Sequence, residues 1–259
     1  TAADRVTPAI ETAGLTKFYG RDRGVVDVDL VVEPGQVFGF LGPNGAGKTT
    51  TMRMLTGFLP ATEGRCEVAG FDVFEQPMEV RKRVGYLPET PPLYPELTIG
   101  SYLSFVAEIR QVQRSARISK VGEVMERVGL SGWEDRILGT LSKGYRQRVG
   151  LAQSIIHDPE VLILDEPTSG LDPRQVVGIR DFIRGLAEDR TVILSTHILS
   201  EVEQLCERAL MIDGGKLIAA DTLDGLKAGV GGGVRYRVEL SDPASGPQSI
   251  PVQVGALDG

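Results

Sequence analysis

The sequence predicts an α/β protein built on a parallel sheet, with an antiparallel β subdomain and an inserted helical subdomain. Short β-branched runs alternate with helical patterns along the chain, which is typical of this class. The predicted strand at residues 161–164 is continuously apolar, and the one at 191–195 is apolar at 192–194, as in parallel strands that are buried on both faces. From about residue 98 to 157, apolar side chains recur at helical spacing instead, which indicates a helical insertion.

The remaining elements follow from local patterns. Residues 25–32 are predicted as a strand, and residues 36–41 as a second strand that leads into a glycine-rich loop. A helix is expected to begin near residues 47–48. Residues 60–90 are rich in β-branched and turn residues, so this segment is expected to be mostly β. Residues 181–188 predict the helix that connects the two buried parallel strands.

The chain is expected to divide into a main domain and a short appendage. The main domain covers residues 8–226, with the helical subdomain at about 95–157. Residues 227–259 begin with a glycine-rich linker and continue with two short strand patterns, at 234–240 and 251–254. Two strands without a helix are not stable alone, so this β-containing C-terminal appendage is predicted to be incomplete.

Composition restricts the possible functions. The chain has 28 Lys and Arg against 35 Asp and Glu, which gives a net charge of −7 and argues against nonspecific nucleic-acid binding. No apolar run approaches the roughly 18 residues that a membrane span requires. The first residues lack the apolar segment of a secretory signal. Cys66 and Cys206 are too few for a disulfide framework, which fits a reducing cytosol.

A glycine-rich motif lies between a predicted strand and a predicted helix. Residues 42–49 fit the pattern G-x-x-x-x-G-K-[ST], in which backbone N–H groups converge on the phosphate oxygens of ATP. Lys48 is expected to reach the β- and γ-phosphates, and the Thr49 hydroxyl to bind Mg²⁺. A chance match is expected only about 0.01 times in such a chain. The predicted nucleotide-binding residues also include Gly42, Pro43, Asn44, Gly45, Ala46, Gly47 and Thr50.

Two acids end the buried strand at residues 161–164. Asp165 is placed to hold Mg²⁺ through its water shell, and Glu166 to polarise an attacking water. An acidic strand end alone is explained about as often by a helix N-cap. Together with the phosphate loop, the two acids are the expected metal side of a hydrolytic site.

A second anion site is predicted where the helix after residue 142 begins. The Ser142 hydroxyl and the Gly144 N–H lie at a helix N-terminus, with no acidic residue in the motif. A simple N-cap role for Ser142 is the alternative. Because the phosphate loop already covers one face of the γ-phosphate, the second site is expected to serve the nucleotide bound to another copy of the chain.

These motifs, in this order, resemble the ATP-binding cassette (ABC) family of transport ATPases over about residues 8–226. Residues 141–145, LSKGY, are similar to the family's LSGGQ signature. Lys143 and Tyr145 replace Gly and Gln there, and the serine and Gly144 are retained. The KGYRQR form and the glycine-linked tail are similar to cassettes that serve separate membrane subunits of multi-span exporters.

The resemblance implies roles for four further residues. Asp172 belongs to the D-loop, and His197 contacts the γ-phosphate and organises the attacking water, with a packed or capping histidine as the alternative. Tyr19 stacks on adenine, unless it is a core aromatic at a strand end, a place expected instead for Phe18. Glu89 stands where the family usually has the Q-loop glutamine, so it is either a metal ligand or a solvated loop acid.

The resemblance also implies a function. The chain binds and hydrolyses ATP with Mg²⁺, and Lys48, Glu166 and His197 act in catalysis. Two copies, or this chain and a paralogous cassette, close on two ATP molecules and power a separate multi-span membrane permease. This places the chain in the cytoplasm, peripheral on the inner face of the cell membrane, with no nucleic-acid partner. The proline-rich loop at residues 91–98 is either a groove for a partner helix or a loop tied down by its own aromatics.

Three other functions compete with this interpretation. A soluble ABC ATPase that works on DNA or ribosomes predicts paired cassettes, a long coiled coil or a basic face, and the sequence has none of these. A small-molecule kinase does not explain Ser142 and Gly144. A nucleotide sensor without turnover does not need Glu166 and His197.

Overall fold

A computed structural model describes residues 7–229 of the chain. The strands are β1 (Ile10–Tyr19), β2 (Asp22–Val32), β3 (Val37–Leu41), β4 (Glu63–Val68), β5 (Phe71–Asp72), β6 (Val84–Leu87), β7 (Val161–Asp165), β8 (Thr191–Thr196), β9 (Arg208–Asp213) and β10 (Lys216–Thr222). The helices are α1 (Lys48–Leu55), α2 (Pro77–Arg83), α3 (Ile99–Ile109), α4 (Arg117–Arg127), α5 (Lys143–Ile155), α6 (Pro173–Ala187), α7 (Leu199–Leu205) and α8 (Leu223–Gly229), with a 3₁₀ turn at Leu138–Thr140.

The described strands join in the order β5-β4-β1-β2-β10-β9-β3-β8-β7-β6. Strands β9, β3, β8, β7 and β6 form a parallel core in that order. Strands β2, β1, β4 and β5 form an antiparallel ladder, and β10 joins the two parts by pairing with β9 and, at Lys216 and Val26, with β2. The predicted α/β class, with a parallel core and an antiparallel β part, is confirmed.

The central strands are covered on both faces. Every residue of β7 and β8 is buried. Alternate side chains of β7 enter different cores: Leu162 and Leu164 pack with α3 to α6, whereas Val161 and Ile163 pack with α1 and β1. This arrangement explains why the sequence of these strands is continuously apolar rather than alternating.

Two helices differ from the sequence prediction. Helix α2 lies in the segment that the sequence predicts as mostly β, and Val80 is its one buried residue, so no apolar period marks it. Helix α6 begins at Pro173 rather than at residue 181. Asp172 caps this helix by accepting hydrogen bonds from the backbone N–H groups of Arg174 and Gln175. An Asp-Pro pair at a helix start is a readable signal, and it extends the helix backwards.

The C-terminal prediction falls largely outside the described part of the chain. Helix α8 ends at Gly229, and the predicted strands at 234–240 and 251–254 lie outside the described residues. The boundaries of the main domain and of its helical subdomain stay predictions. Across residues 7–229, no helix has both the length and the apolar character needed to cross a membrane.

Candidate functional site

The parallel core brings three loop regions to one edge of the sheet. β3 and β8 pair up to Leu41 opposite Thr196, and β7 and β8 pair up to Asp165 opposite Ser195. The chain segments that leave the carboxyl ends of β3, β7 and β8 are therefore neighbours. Ligands of open α/β sheets bind at this kind of edge.

The glycine-rich loop connects β3 to α1 in a tight turn. Gly47 has a φ of +107° at the N-cap of α1, a conformation that favours glycine. A Cβ atom at Gly47 would clash with Val25, and one at Gly42 would clash with the Ile212 carbonyl. The loop backbone therefore packs too closely against β2 and β9 to accept side chains at these two positions. Its N–H groups are left at the start of α1, as an anion site requires.

Lys48 is drawn back into this loop. Its Nζ donates hydrogen bonds to the Gly42 carbonyl at 2.7 Å and to the Pro43 carbonyl at 3.1 Å. The same atom lies 3.2 Å from Oε1 of Glu166 in a buried ion pair. The ammonium group thus lies between the phosphate loop and the end of β7.

Glu166 joins the lysine to the histidine. Its Oε2 is 2.9 Å from Nδ1 of His197, which follows β8. Glu166 has a φ of +47°, which strains a residue with a side chain, and its N–H donates to Oγ of Ser195 at 3.0 Å. The carboxylate is buried, whereas the His197 side chain is 41% exposed. We call Lys48, Glu166 and His197 the catalytic cluster, after the roles predicted for them from the sequence.

Asp165 carries an oxygen that the protein does not use. Its Oδ1 accepts a hydrogen bond from Oγ of Ser195 at 2.6 Å. Its Oδ2 is buried and has no hydrogen-bond partner among the described residues. A buried carboxylate oxygen without a donor suits a hard cation or the water that such a cation holds, so the site fits Mg²⁺.

Tyr86 on β6 contributes a neutral hydroxyl to this region. Burial, reinforced by the negative charge of Asp165, raises the pKa of Tyr86 to about 12. The phenol therefore stays protonated at physiological pH and adds no charge beside Asp165.

Tyr19 lies at the rim of the phosphate-loop helix. It is 47% exposed, and its hydroxyl is 3.5 Å from Oγ1 of Thr50. Lys17 Nζ lies 5.8 Å from the centroid of its ring. The core alternative for Tyr19 is wrong, because half of the ring is open to solvent. The core position expected for Phe18 is also wrong, since this side chain is only partly buried and belongs to neither core cluster.

Residues 141–145 form the signature segment. Ser142 is exposed at the N-cap of α5, yet its hydroxyl makes no capping hydrogen bond. The N-cap alternative therefore explains its position but not its hydroxyl. Lys143 is exposed as well, whereas Gly144 is buried. The ring of Tyr145 packs on that of Trp133, with the two ring centroids 4.3 Å apart. In the described structure, no hydrogen bond or ion pair joins this segment to the catalytic cluster.

The D-loop and the first turn of α6 both pack against the signature segment. A Cβ atom at Gly144 would clash with the Gln175 amide, and one at Gly170 would clash with Nζ of Lys143. Asp172 caps α6 two residues after Gly170. These contacts join the two motifs within one chain.

Glu89 is exposed after β6, and in the described structure it makes no hydrogen bond or ion pair. No hydrogen bond or ion pair among the described residues joins it to Asp165, Thr49 or the catalytic cluster. Its assignment as a metal ligand stays a prediction.

Sequence reasoning missed two residues near the site. Ser195 binds both the Asp165 carboxylate and the Glu166 N–H. A serine at the end of an apolar strand, opposite an acid on the next strand, was the signal for it. Glu201 is the second, and its place on a short helix gave no such signal.

The parallel core, the phosphate loop and the paired acid and histidine define a P-loop ATPase. A family model described as ABC transporter matches residues 25–169, and the chain belongs to this family.

The similar proteins are ATP-binding subunits of transport systems. The bacitracin transport ATP-binding protein BcrA of Bacillus licheniformis is 41% identical over 220 residues, which cover 84% of this chain and 71% of that protein. The daunorubicin/doxorubicin resistance ATP-binding protein DrrA of Streptomyces peucetius is 40% identical over 240 residues, covering 92% and 72%. An ATP-binding subunit of an ABC transporter has the same fold, with a TM-score of 0.79 and 28% identity, covering 87% of this chain and 94% of that one.

The chain is thus the ATP-binding and ATP-hydrolysing subunit of an ABC transporter. The names of these relatives refer to transport and drug resistance, which does not favour the alternative of work on DNA or ribosomes.

Proposed function

We propose that two copies of this chain close head to tail on two ATP molecules and their Mg²⁺ ions. In each site, the loop at residues 42–50 of one copy holds the triphosphate, and Ser142 and Gly144 of the other copy cover the γ-phosphate. The observation that carries this proposal is the exposed Ser142 hydroxyl, which makes no capping hydrogen bond within the described residues of its own chain. Tyr19 stacks on the adenine, and Asp172 lies at the contact between the copies.

The catalytic cluster supplies the chemistry. Lys48 is held by two loop carbonyls and by Glu166, so an arriving triphosphate competes for its ammonium group. When Lys48 turns to the phosphates, Oε1 of Glu166 is released to orient and polarise the attacking water. His197 stays on Oε2 and orients the γ-phosphate. Bound Mg²⁺ supplies charge stabilisation to the leaving phosphates, and Thr49, Asp165 and Glu89 are the proposed residues that hold it.

A separate multi-span membrane protein is the proposed partner. The surface beside the Glu89 loop carries two exposed aromatics, Tyr94 and Phe105, whose ring centroids lie 5.8 Å apart. Tyr94 also contacts Tyr102, so the loop is tied down by its own aromatics and still exposes an apolar face. This face suits a short helix of the membrane subunit. The chain is then cytoplasmic and peripheral on the inner face of the membrane.

The proposed cargo is a bulky amphipathic antibiotic, and the proposed direction is export. The support is that relatives 40% and 41% identical to this chain are named for daunorubicin resistance and bacitracin transport. The test uses inverted membrane vesicles that contain this chain together with the proposed multi-span membrane partner, supplied with daunorubicin.

Wild-type vesicles are expected to take up the drug when ATP is added, and vesicles with Glu166→Gln are not. Equal uptake by the two preparations would contradict the assignment of export to this chain. Copurification of the chain with the membrane protein tests the partner independently of the cargo.

A further inference from the structure

Glu201 is a buried acid outside the catalytic cluster. It lies on α7, is 1% exposed and accepts a hydrogen bond on each oxygen. Oγ1 of Thr168 donates to Oε1 at 2.6 Å, and Oγ1 of Thr196 donates to Oε2 at 2.7 Å. Nη2 of Arg180, on α6, lies 3.4 Å from Oε1. A carboxylate buried this deeply is tolerated only with such partners.

The two threonines flank the catalytic residues. Thr168 follows Glu166 by two positions, and Thr196 immediately precedes His197. Oγ1 of Thr196 also accepts a hydrogen bond from the N–H of Ile198 at 3.1 Å, so His197 is held on both sides. One carboxylate therefore connects the segment after β7 with the last residue of β8. These are the parts of the chain whose spacing sets the 2.9 Å contact between Glu166 and His197.

A purely structural role is the simpler explanation, since any buried ion pair holds its elements together. The ion pair with Arg180 fits that explanation. That explanation does not cover the two threonine hydrogen bonds. Their donors lie beside the catalytic acid and the histidine rather than on helix surfaces. Hydrogen bonds to a charged acceptor are short and strongly directional, so they restrict where those loops lie.

We propose that Glu201 is a positioning residue for ATP hydrolysis. It acts through Thr168 and Thr196 to keep Glu166 and His197 at their mutual distance. Through Arg180 it also connects both loops to α6, which begins at Asp172. This inference rests on the proposed roles of Glu166 and His197.

The first test compares Glu201→Gln with Glu207→Gln in steady-state ATPase assays on the full chain. Glu207 is an exposed acid just after the same helix, so its variant removes the same charge without touching the network. We expect Glu201→Gln to lower kcat at least tenfold with the KM for ATP within twofold, because the phosphate loop is not touched. Glu207→Gln is expected to match the wild type. An unchanged kcat in folded Glu201→Gln, or a parallel rise in KM, would overturn the proposal.

The second test leaves the buried carboxylate of Glu201 in place, so it remains informative if Glu201→Gln does not fold. Thr168→Val and Thr196→Val remove one donor each and leave the Glu201–Arg180 ion pair in place. Each is expected to lower kcat without changing KM. Where Glu201→Gln does fold, the double variant Thr196→Val/Glu201→Gln is expected to be no slower than Glu201→Gln alone, because both changes interrupt one connection. Wild-type kcat in both threonine variants, or additive losses in the double variant, would contradict the proposal.

The same assays separate this inference from the proposed site. Loss of turnover in Glu166→Gln and His197→Ala together with normal turnover in the Glu201 and threonine variants would reject only the positioning role. Normal turnover in Glu166→Gln or His197→Ala would reject the catalytic roles on which it rests.

Discussion

Glu166 contacts both Lys48 and His197 inside one chain, whereas Ser142 is exposed at the start of α5 and its hydroxyl makes no capping hydrogen bond in the described structure. The first group lies where three buried parallel strands end, and its lysine and acid are almost entirely covered. The signature segment lies on the surface of the helical part, where Ser142 and Lys143 are exposed and only Leu141 and Gly144 are buried.

The two parts of the site differ in where their interacting groups come from. The buried Lys48–Glu166 ion pair is formed within one chain, so these residues are held together before nucleotide arrives and takes over Lys48. An exposed serine at a helix N-terminus gains its partner only when an anion approaches from outside. The contacts of the catalytic cluster are therefore complete within one chain, whereas the signature segment is the part for which we propose a second copy as the partner.

The largest expected effect comes from Glu166→Gln. The amide keeps the shape of the side chain but does not polarise water, so we expect turnover to fall at least about a hundredfold. The loop at residues 42–50 is unchanged, so ATP binding should remain. Bound but unhydrolysed ATP should then hold two copies together, and light scattering after size exclusion in ATP and Mg²⁺ should show a dimer.

Lys48→Ala is the matched control for that dimer. It removes a phosphate ligand from the same buried pair, so neither ATP nor the dimer should be retained. A Glu166→Gln protein that stays monomeric at saturating ATP and Mg²⁺ would remove the support for two copies closing on nucleotide.

A change in the signature segment should have a smaller effect on turnover. Mixing two different variants should restore part of the lost activity. Ser142→Ala removes one hydrogen bond to a charged phosphate, worth about 1.5 to 3 kcal/mol, so turnover should fall about ten- to hundredfold. Mixing it with Lys48→Ala pairs the intact phosphate loop of one variant with the intact Ser142 of the other. The mixture should therefore hydrolyse ATP faster than either variant alone. If mixing restores nothing, Ser142 acts within its own chain or not at all.

The site was predictable where it depends on parallel strands. Lys48, Asp165, Glu166 and His197 all follow strands that the sequence marks by continuous apolar runs, so their meeting at one edge follows from topology. Glu201 was not predictable in this way. It lies on a seven-residue helix with exposed acids nearby, which in sequence is typical of a solvated helix. Its burial depends on Thr168 and Arg180, which are distant in the chain.

The prediction of the fold from the sequence was limited in the same way. The strands of the parallel core carry their own burial pattern, whereas α2 buries only Val80 and so lacks an apolar period. The early start of α6 at Asp172 and Pro173 was readable from capping chemistry. Local signals of this kind predict where an element begins, but tertiary contacts decide which polar side chains become buried.

The two histidines extend the comparison to pH. His157 lies at the other end of β7 from His197, and its Nε2 donates to the Val84 carbonyl at 3.1 Å, while Nδ1 is buried with no hydrogen-bond partner in the described chain. Burial, and then the nearby Arg110, lower the pKa of His157 to about 4. The unfolded chain, with a histidine pKa of about 6.5, therefore binds the proton more readily than the folded one.

The stability that this histidine contributes is fully present above about pH 6.5 and is lost as the pH falls towards 4, by up to about 3 kcal/mol. His157→Gln should flatten the fall of the melting temperature between pH 6.5 and 4.5. An equal slope in wild type and His157→Gln would show that other groups govern acid stability.

Glu89 is expected to give the smallest effect, and it tests whether the metal side of the catalytic cluster is also complete within the buried strands. Asp165 already offers a buried, unpartnered oxygen, whereas Glu89 is exposed, so its attraction to Mg²⁺ is weakened by solvent. If its carboxylate reaches the ion directly or through water, Glu89→Gln should raise the Mg²⁺ concentration for half-maximal ATPase activity by at most about tenfold, roughly 1.4 kcal/mol. Nucleotide affinity at saturating Mg²⁺ should hold or improve slightly, because the same charge repels the γ-phosphate.

Glu96→Gln, an exposed acid of the same loop, controls for a general loss of negative charge. Mg²⁺ titrations that superimpose for wild type and Glu89→Gln would leave Asp165 and Thr49 as the metal side and make Glu89 a solvated acid of the loop that faces the membrane partner.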